Sequence, residues 1–325
     1  MISIGPARSR AAHRTARSTA RNAWILGLCA VTVSACASPQ NKDEGADGRS
    51  TPAGPLIEAT NQPDPIGKFL SDLDSSIRLW SNFIMAAQTE EDRRKASLLE
   101  QNLEFVTHKR RAELIQQLES GPLHNRVIAA CALGFTRDVE AQSPLIAALD
   151  DPHPEVVSNA LLGLMLLGRA DTPLEPICRQ FTGSSDAGVR RNAAQCAAAL
   201  VKAGARGDCI LESSRHGLTD KEEPTVRAQS ALILATLEDR TSLAALCDRL
   251  YDPVPLVRAA AARAVSYIGS HSPPDKGTAA RALVGALERS EGNARLQLLR
   301  PLIELAAFDY GPEIKDWKEW AARLP

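Results

Sequence analysis

The side chains best equipped for chemistry in this chain are scattered where a reaction would need them gathered. His108, His124, His153, His216 and His271 lie far apart, with no His-x-x-x-His and no Cys-x-x-Cys, so the spacing that holds a metal ion is absent. No Gly-x-Ser-x-Gly turn raises a serine nucleophile, and no glycine-rich loop is present to cradle a phosphate. The expectation is therefore no catalytic residue, no metal, no cofactor and no enzyme activity. Beyond Cys36, the cysteines Cys131, Cys178, Cys196, Cys209 and Cys247 form an odd set, which argues against a disulfide framework. Most stand among Ala and Leu and are expected to serve as small buried hydrophobes, with a single Cys178 to Cys196 bridge as the alternative.

What does recur is arginine at one slot of a repeating helix. Six helices open on Asn125, Val156, Val189, Val226, Val257 and Ala294, spaced by 31, 33, 37, 31 and 37 residues. The next slot holds Arg126, Val157, Arg190, Arg227, Arg258 and Arg295, so Val157 alone departs. Four positions after the opening come Ala129, Ala160, Ala193, Ser230, Ala261 and Leu298, and eight after it the middle units place Leu164, Ala197, Leu234 and Val265. Steps of four keep these on one helical face, the pattern of a helix buried on one side. Each is preceded by a shorter apolar helix, within 112–118, 144–149, 174–181, 209–217, 242–250 and 279–287. The turns between carry Asp and Pro, as in Asp151-Pro152-His153-Pro154 and Asp252-Pro253-Val254-Pro255, where proline is tolerated at the start of a helix. Ser184, Ser185 and Asp186 precede the third of these helices, and Asp220 the fourth. No alternating strand-like run competes.

The two Asp-Pro-x-Pro-x-Val turns at 151–156 and 252–257, with the Val-Arg starts at Val189-Arg190 and Val226-Arg227, resemble the HEAT repeat family, including its short phycobilin-lyase-like variants. The resemblance covers roughly residues 110–307. It implies an all-α solenoid of about six helix pairs, in which turn Asp and Arg form ladders between adjacent units. Arg126, Arg190, Arg227, Arg258 and Arg295 are accordingly read as structural. It does not imply lyase chemistry, because function resides in sites and not in folds. In that family the second helices line the concave face. Asn159, Asn192, Gln229 and Gln297, three positions after the opening, and Gln195, Arg263 and Arg300, six after it, are then expected to point outward as a strip able to hydrogen-bond a partner.

The flanks read differently. Arg8, Arg10, Arg14, Arg17 and Arg21 precede an apolar run from Ala23 to Ala35 that is too short to span a bilayer. The run closes on Val33-Ser34-Ala35-Cys36, which looks like a bacterial lipoprotein signal; that likeness implies acyl chains on Cys36, and the lack of an Asp after it implies transfer to the outer membrane. Residues 37–65 are rich in Pro, Gly, Ser, Asp and Asn and read as a tether, with a coil span of about 30 Å. Without the five leader arginines, 33 basic residues face 39 acidic ones, a balance of −6 that disfavours nucleic acid.

Between tether and repeats, Ile66, Phe69, Leu70, Leu73, Ile77, Trp80 and Ile84 form one apolar stripe, and Thr89 with Asp92 resembles a capping box opening a second helix. These are read as an N-terminal cap. Phe308-Asp309-Tyr310-Gly311-Pro312 followed by Trp317 and Trp320 is similar to a terminal motif of bacterial HEAT arrays, and the two tryptophans share a face that can close the last repeat. The expected layout is a signal at 1–35, lipidated Cys36 and tether at 36–65, a helical cap at 66–110, the solenoid at 111–307 and a capping helix at 308–325. The expected function is a membrane-anchored scaffold of the bacterial envelope for an unknown protein partner. An accessory or substrate-holding subunit of an envelope enzyme, or a self-associating structural protein, is the alternative.

Overall fold

The structure, a computed structural model, describes residues 65–86, 89–219 and 221–325; the leader, Cys36, the tether up to residue 64 and Asp220 lie outside them. Among the described residues all regular structure is helical. The chain divides into two compact units at Val106/Thr107.

In the first unit, α1 (Ile66–Ala86) buries Leu70, Leu73, Ile77, Trp80 and Ile84 along its stripe. Helix α2 (Glu90–Lys109), which runs across the boundary, starts on a reciprocal cap. The Asp92 N–H donates to Thr89 Oγ1 at 3.1 Å while the Asp92 carboxylate accepts from the Thr89 N–H and hydroxyl at 3.3 and 2.7 Å. Glu90, Glu91 and Asp92 in its first turn and His108 and Lys109 in its last complement the helix dipole.

The second unit is a two-layer stack. Its first helices are α3 (Arg111–Ser120), α5 (Gln142–Ala147), α7 (Glu175–Gly183), α9 (Asp208–Gly217), α11 (Leu243–Asp248) and α13 (Lys276–Glu288). Its second helices are α4 (Leu123–Phe135), α6 (Pro154–Leu167), α8 (Ala187–Ala203), α10 (Pro224–Thr236), α12 (Pro255–His271) and α14 (Gly292–Ala306), and α15 (Ile314–Ala322) closes the chain. Each second helix packs on the next, forming the tighter of the two rows. The slots with small or branched residues make this row: Val156, Ala160, Leu164, Val189, Ala193, Ala197, Val226, Leu234, Val257, Ala261 and Val265 are all buried. The approach is closest between α4 and α6. A β-carbon on Gly134 would meet the Gly163 carbonyl at 2.6 Å, and one on Gly163 would run into the Ala130 carbonyl, so the two backbones touch where neither residue has a side chain.

The turns explain where the second helices begin. Asp151 Oδ1 accepts the His153 N–H and Asp252 Oδ1 the Val254 N–H, both at 2.9 Å, which folds the chain back before Pro154 and Pro255 start their helices. At the C-terminus, Trp317 and Trp320 are buried in one apolar cluster with Leu283, Leu287, Leu302 and Leu305. Trp317 Nε1 donates to the Gly311 carbonyl at 2.9 Å, and Tyr310 packs edge-on against Trp317 at 5.2 Å.

Candidate protein-interaction surface

The recurring arginines are held by their own turn and by the next unit. Arg126 bonds Asp151 at 2.9 Å through Nε and the Gly121 carbonyl at 3.1 Å. Arg190 bonds Glu222 at 3.1 Å and the Ser184 carbonyl at 3.0 Å. Arg227 forks onto Asp252 with two bonds of 2.9 Å and takes the Glu222 carbonyl at 2.6 Å. This last pair is the most enclosed, its side chains being 7% and 0% exposed. Burial alone pushes the Asp252 carboxyl up, but Arg227, the Val254 N–H and Arg249 hold it below the ordinary carboxylate value. The last two arginines build no such rung. Arg258 turns to the Asp252 and Pro253 carbonyls at 2.8 and 3.0 Å, and Arg295 to the Pro312 carbonyl at 2.8 Å.

A second set of links escapes the repeat register because it runs from a first helix, or from the turn before one, to the turn that opens a later unit. Arg111 pairs with Asp138, Arg215 with Asp239 at 2.8 Å, and Arg240 with Asp275 at 2.5 Å. Burial raises the Asp239 carboxyl, yet Arg215, Ser242 and Thr241 outweigh it and bring it to about 2. Asp138 and Asp239 both stand 13 positions after an opening slot, but Arg111 and Arg215 stand 14 and 11 before one, so no shared spacing marks the pairs in the sequence.

The amide strip requires correction. Asn159, Asn192, Gln195 and Gln229 do not point outward; they are 8, 6, 3 and 6% exposed and lie in the seams of the second-helix row. Three residues along a helix is a turn of about 300°, which faces the adjacent second helix when neighbours pack this closely. Asn159 Nδ2 returns to the Glu155 carbonyl at 2.8 Å, and Ala260, at the same position three units on, is buried too. The amide of Gln195 finds no hydrogen-bond partner among the described residues. Arg263, Gln297 and Arg300 are exposed.

Positions two, six and nine or ten after the opening differ from unit to unit. In the middle units Leu162, Gln195 and Ala228 are buried there, and Ser158, Met165, Arg191, Ala198, Leu232 and Thr236 are half-buried. In α12 and α14 they open to solvent as Arg263, Tyr267, Leu296 and Arg300, with Leu296 65% and Tyr267 40% exposed. Tyr267 stacks on His271 at 4.0 Å between ring centres, which pre-orders the aromatic face. Such a surface can bury apolar and aromatic area while its guanidinium groups meet carboxylates.

The cysteines also depart from expectation. Cys178 is bonded to Cys209, with Cα atoms 6.1 Å apart, and Cys196 is a free, fully buried thiol whose pKa burial raises. The bridge joins α7 to α9, the first helices of consecutive units, whereas Cys196 belongs to the second-helix layer.

A family model described as HEAT repeats matches residues 111–198 and 212–302, more than half of the chain. The chain belongs to the HEAT repeat family. No curated protein matches it. Among solved structures, the HEAT chain is similar to a designed armadillo repeat protein in complex with the peptide (KR)4, at 20% identity and TM-score 0.48 over 59% of this chain and 98% of that one. It is also similar to the complex of CpcE and CpcF of phycocyanin lyase from Nostoc sp. PCC7120, at 20% identity and TM-score 0.41 over 65% and 93%. Among the described residues no group of three or more His, Cys, Asp or Glu is placed to hold a metal ion, and no helix is long and apolar enough to cross a membrane.

Proposed function

We propose that this HEAT chain is a protein-binding scaffold of the bacterial envelope, held at the periplasmic face of the outer membrane by lipid on Cys36. The observation that carries the binding role is the outward strip of the last two units. There Arg263, Tyr267, Leu296 and Arg300 stay exposed on helices whose core faces are buried. A stack fixed by interlocking ion pairs presents such a strip with little loss of freedom on binding, so more of the contact energy is retained as affinity. The envelope address rests on the apolar run before Val33-Ser34-Ala35-Cys36. The Cys178–Cys209 bridge supports it, because such bonds persist in oxidising compartments. More than one acyl chain gives a stable anchor, and the 37–65 tether would raise the local concentration of the scaffold beside the membrane.

Fractionation tests the address. The full chain is expected to partition with outer-membrane lipid and detergent phases, and Cys36→Ala to move to the aqueous phase with loss of crosslinked partner. A Cys36→Ala chain that fractionates and crosslinks like the parent removes the anchor from the function.

A further inference from the structure

One rung of the ladder is missing at both ends, and a cleft stands in its place. Where the other second helices carry Arg, α6 carries Val157, which is buried. The acid that would answer it is missing as well. Asp151 and Asp252 lie five positions before their opening slots; at the same distance before Val189 stands Ser184. Ser184 keeps the turn-forming half of the role, accepting the Asp186 N–H at 3.3 Å as Asp151 and Asp252 accept theirs, but brings no charge. The space between these turns is a cleft of about 300 Å³ lined by Asp151, Pro152, Val157, Gln180, Ser184 and Asp186, among others. That is the low end for a ligand site, and it suits one side chain better than a larger molecule.

The chain itself shows what such a space holds. The 252–258 turn repeats the 151–157 turn residue for residue in its Asp-Pro-x-Pro-x-Val core, differing at the last position, Arg258 against Val157. In the former, the Arg258 guanidinium donates to the carbonyls of Asp252 and Pro253. The corresponding carbonyls, of Asp151 and Pro152, belong to residues lining the cleft where Val157 offers no donor. Across the cleft is Asp186, whose Oδ1 caps α8 by accepting the Val189 N–H at 2.8 Å. The other lining carboxylates are committed elsewhere, Asp151 to Arg126 at 2.9 Å and the exposed Asp150 to Arg179 at 3.5 Å.

We infer that this cleft receives the guanidinium of an arginine from a protein partner, which completes the ladder in trans. A planar fork with five donors suits two carbonyls and a carboxylate set on different sides, a geometry the point charge of lysine does not match. The inference rests on the protein-binding reading but not on the Cys36 anchor or on the strip of α12 and α14, so each can fail without the others.

The test is a titration of the full chain, carrying labelled Val and Leu methyl groups, with the peptide acetyl-Gly-Arg-Gly-amide, followed by NMR. Saturable shifts are expected at the Val157 and Val189 methyls. The citrulline peptide, isosteric but neutral, and the lysine peptide are expected to bind about tenfold or more weakly. Asp186→Asn keeps the helix cap and should weaken arginine binding by a similar factor, while Val157→Arg should fill the cleft and abolish it. No shift at Val157 and Val189, equal binding of citrulline or lysine peptides, or an unchanged affinity in Asp186→Asn would overturn the inference.

Discussion

At the scale of single residues, identical arginines have unequal worth, because enclosure decides what a charge pair contributes. Arg227→Ala would leave Asp252 buried with most of its compensation gone. A loss of about 3–5 kcal/mol in denaturant unfolding is expected, whereas Arg300→Ala, whose pair with Glu304 is exposed, should cost less than about 1 kcal/mol. Asp239 sets an acid limit. Its folded pKa of about 2 lies below the ordinary 3.8, so the stability it contributes is fully present above pH 4 and is lost as pH falls from about 4 through about 2. Unfolding midpoints measured down that range should fall more steeply for the parent than for Asp239→Asn. A parallel pair of curves would remove Asp239 from the acid response. The recurring arginines were legible in the sequence because they occupy one aligned slot. Which of them meet an acid was not, since Glu222, one position off the register of Asp151 and Asp252, serves Arg190, while Arg258 and Arg295 end on carbonyls.

At the scale of elements, the close row of second helices explains both what the sequence revealed and what it concealed. Positions 0, +4 and +8 read correctly as core because the 3.6-residue period determines one buried face. Asn159, Asn192, Gln195 and Gln229 read incorrectly, while Gln297 is exposed as expected, because the direction of such a side chain depends on how near the neighbouring helix comes, a distance set by residues on two helices at once, such as Gly134 and Gly163. Gly163→Ala should therefore destabilise by about 1–3 kcal/mol, while Gly183→Ala, with nothing within 4 Å of the new carbon, should be neutral or slightly stabilising. Equal effects would argue against the α4–α6 backbone contact. The disulfide was hidden for a related reason: Cys178 and Cys196 are nearer in sequence, but Cys209 shares the first-helix layer with Cys178. Closing a separation of 31 residues, the bridge should contribute roughly 3–4 kcal/mol. Thermal unfolding with and without reductant should reveal that difference in the parent and none in Cys178→Ser/Cys209→Ser.

At the scale of the whole molecule, repeated helix pairs supply the surface and two irregularities give it individuality. One is the exposed strip on α12 and α14; the other is the rung absent between the second and third units. Neither follows from the family, whose repeats specify the stack and leave the outward positions unconstrained. The most direct test of the scaffold reading places a photo-crosslinking residue at Tyr267 or Leu296, and in parallel at the exposed Ala244 on the first-helix layer, in cells carrying the full chain. The account predicts one discrete envelope protein captured from Tyr267 and Leu296 and not from Ala244, with the adduct lost when Arg263 and Arg300 are both changed to Glu. Capture from all three positions alike, or only of further copies of this chain, would contradict it.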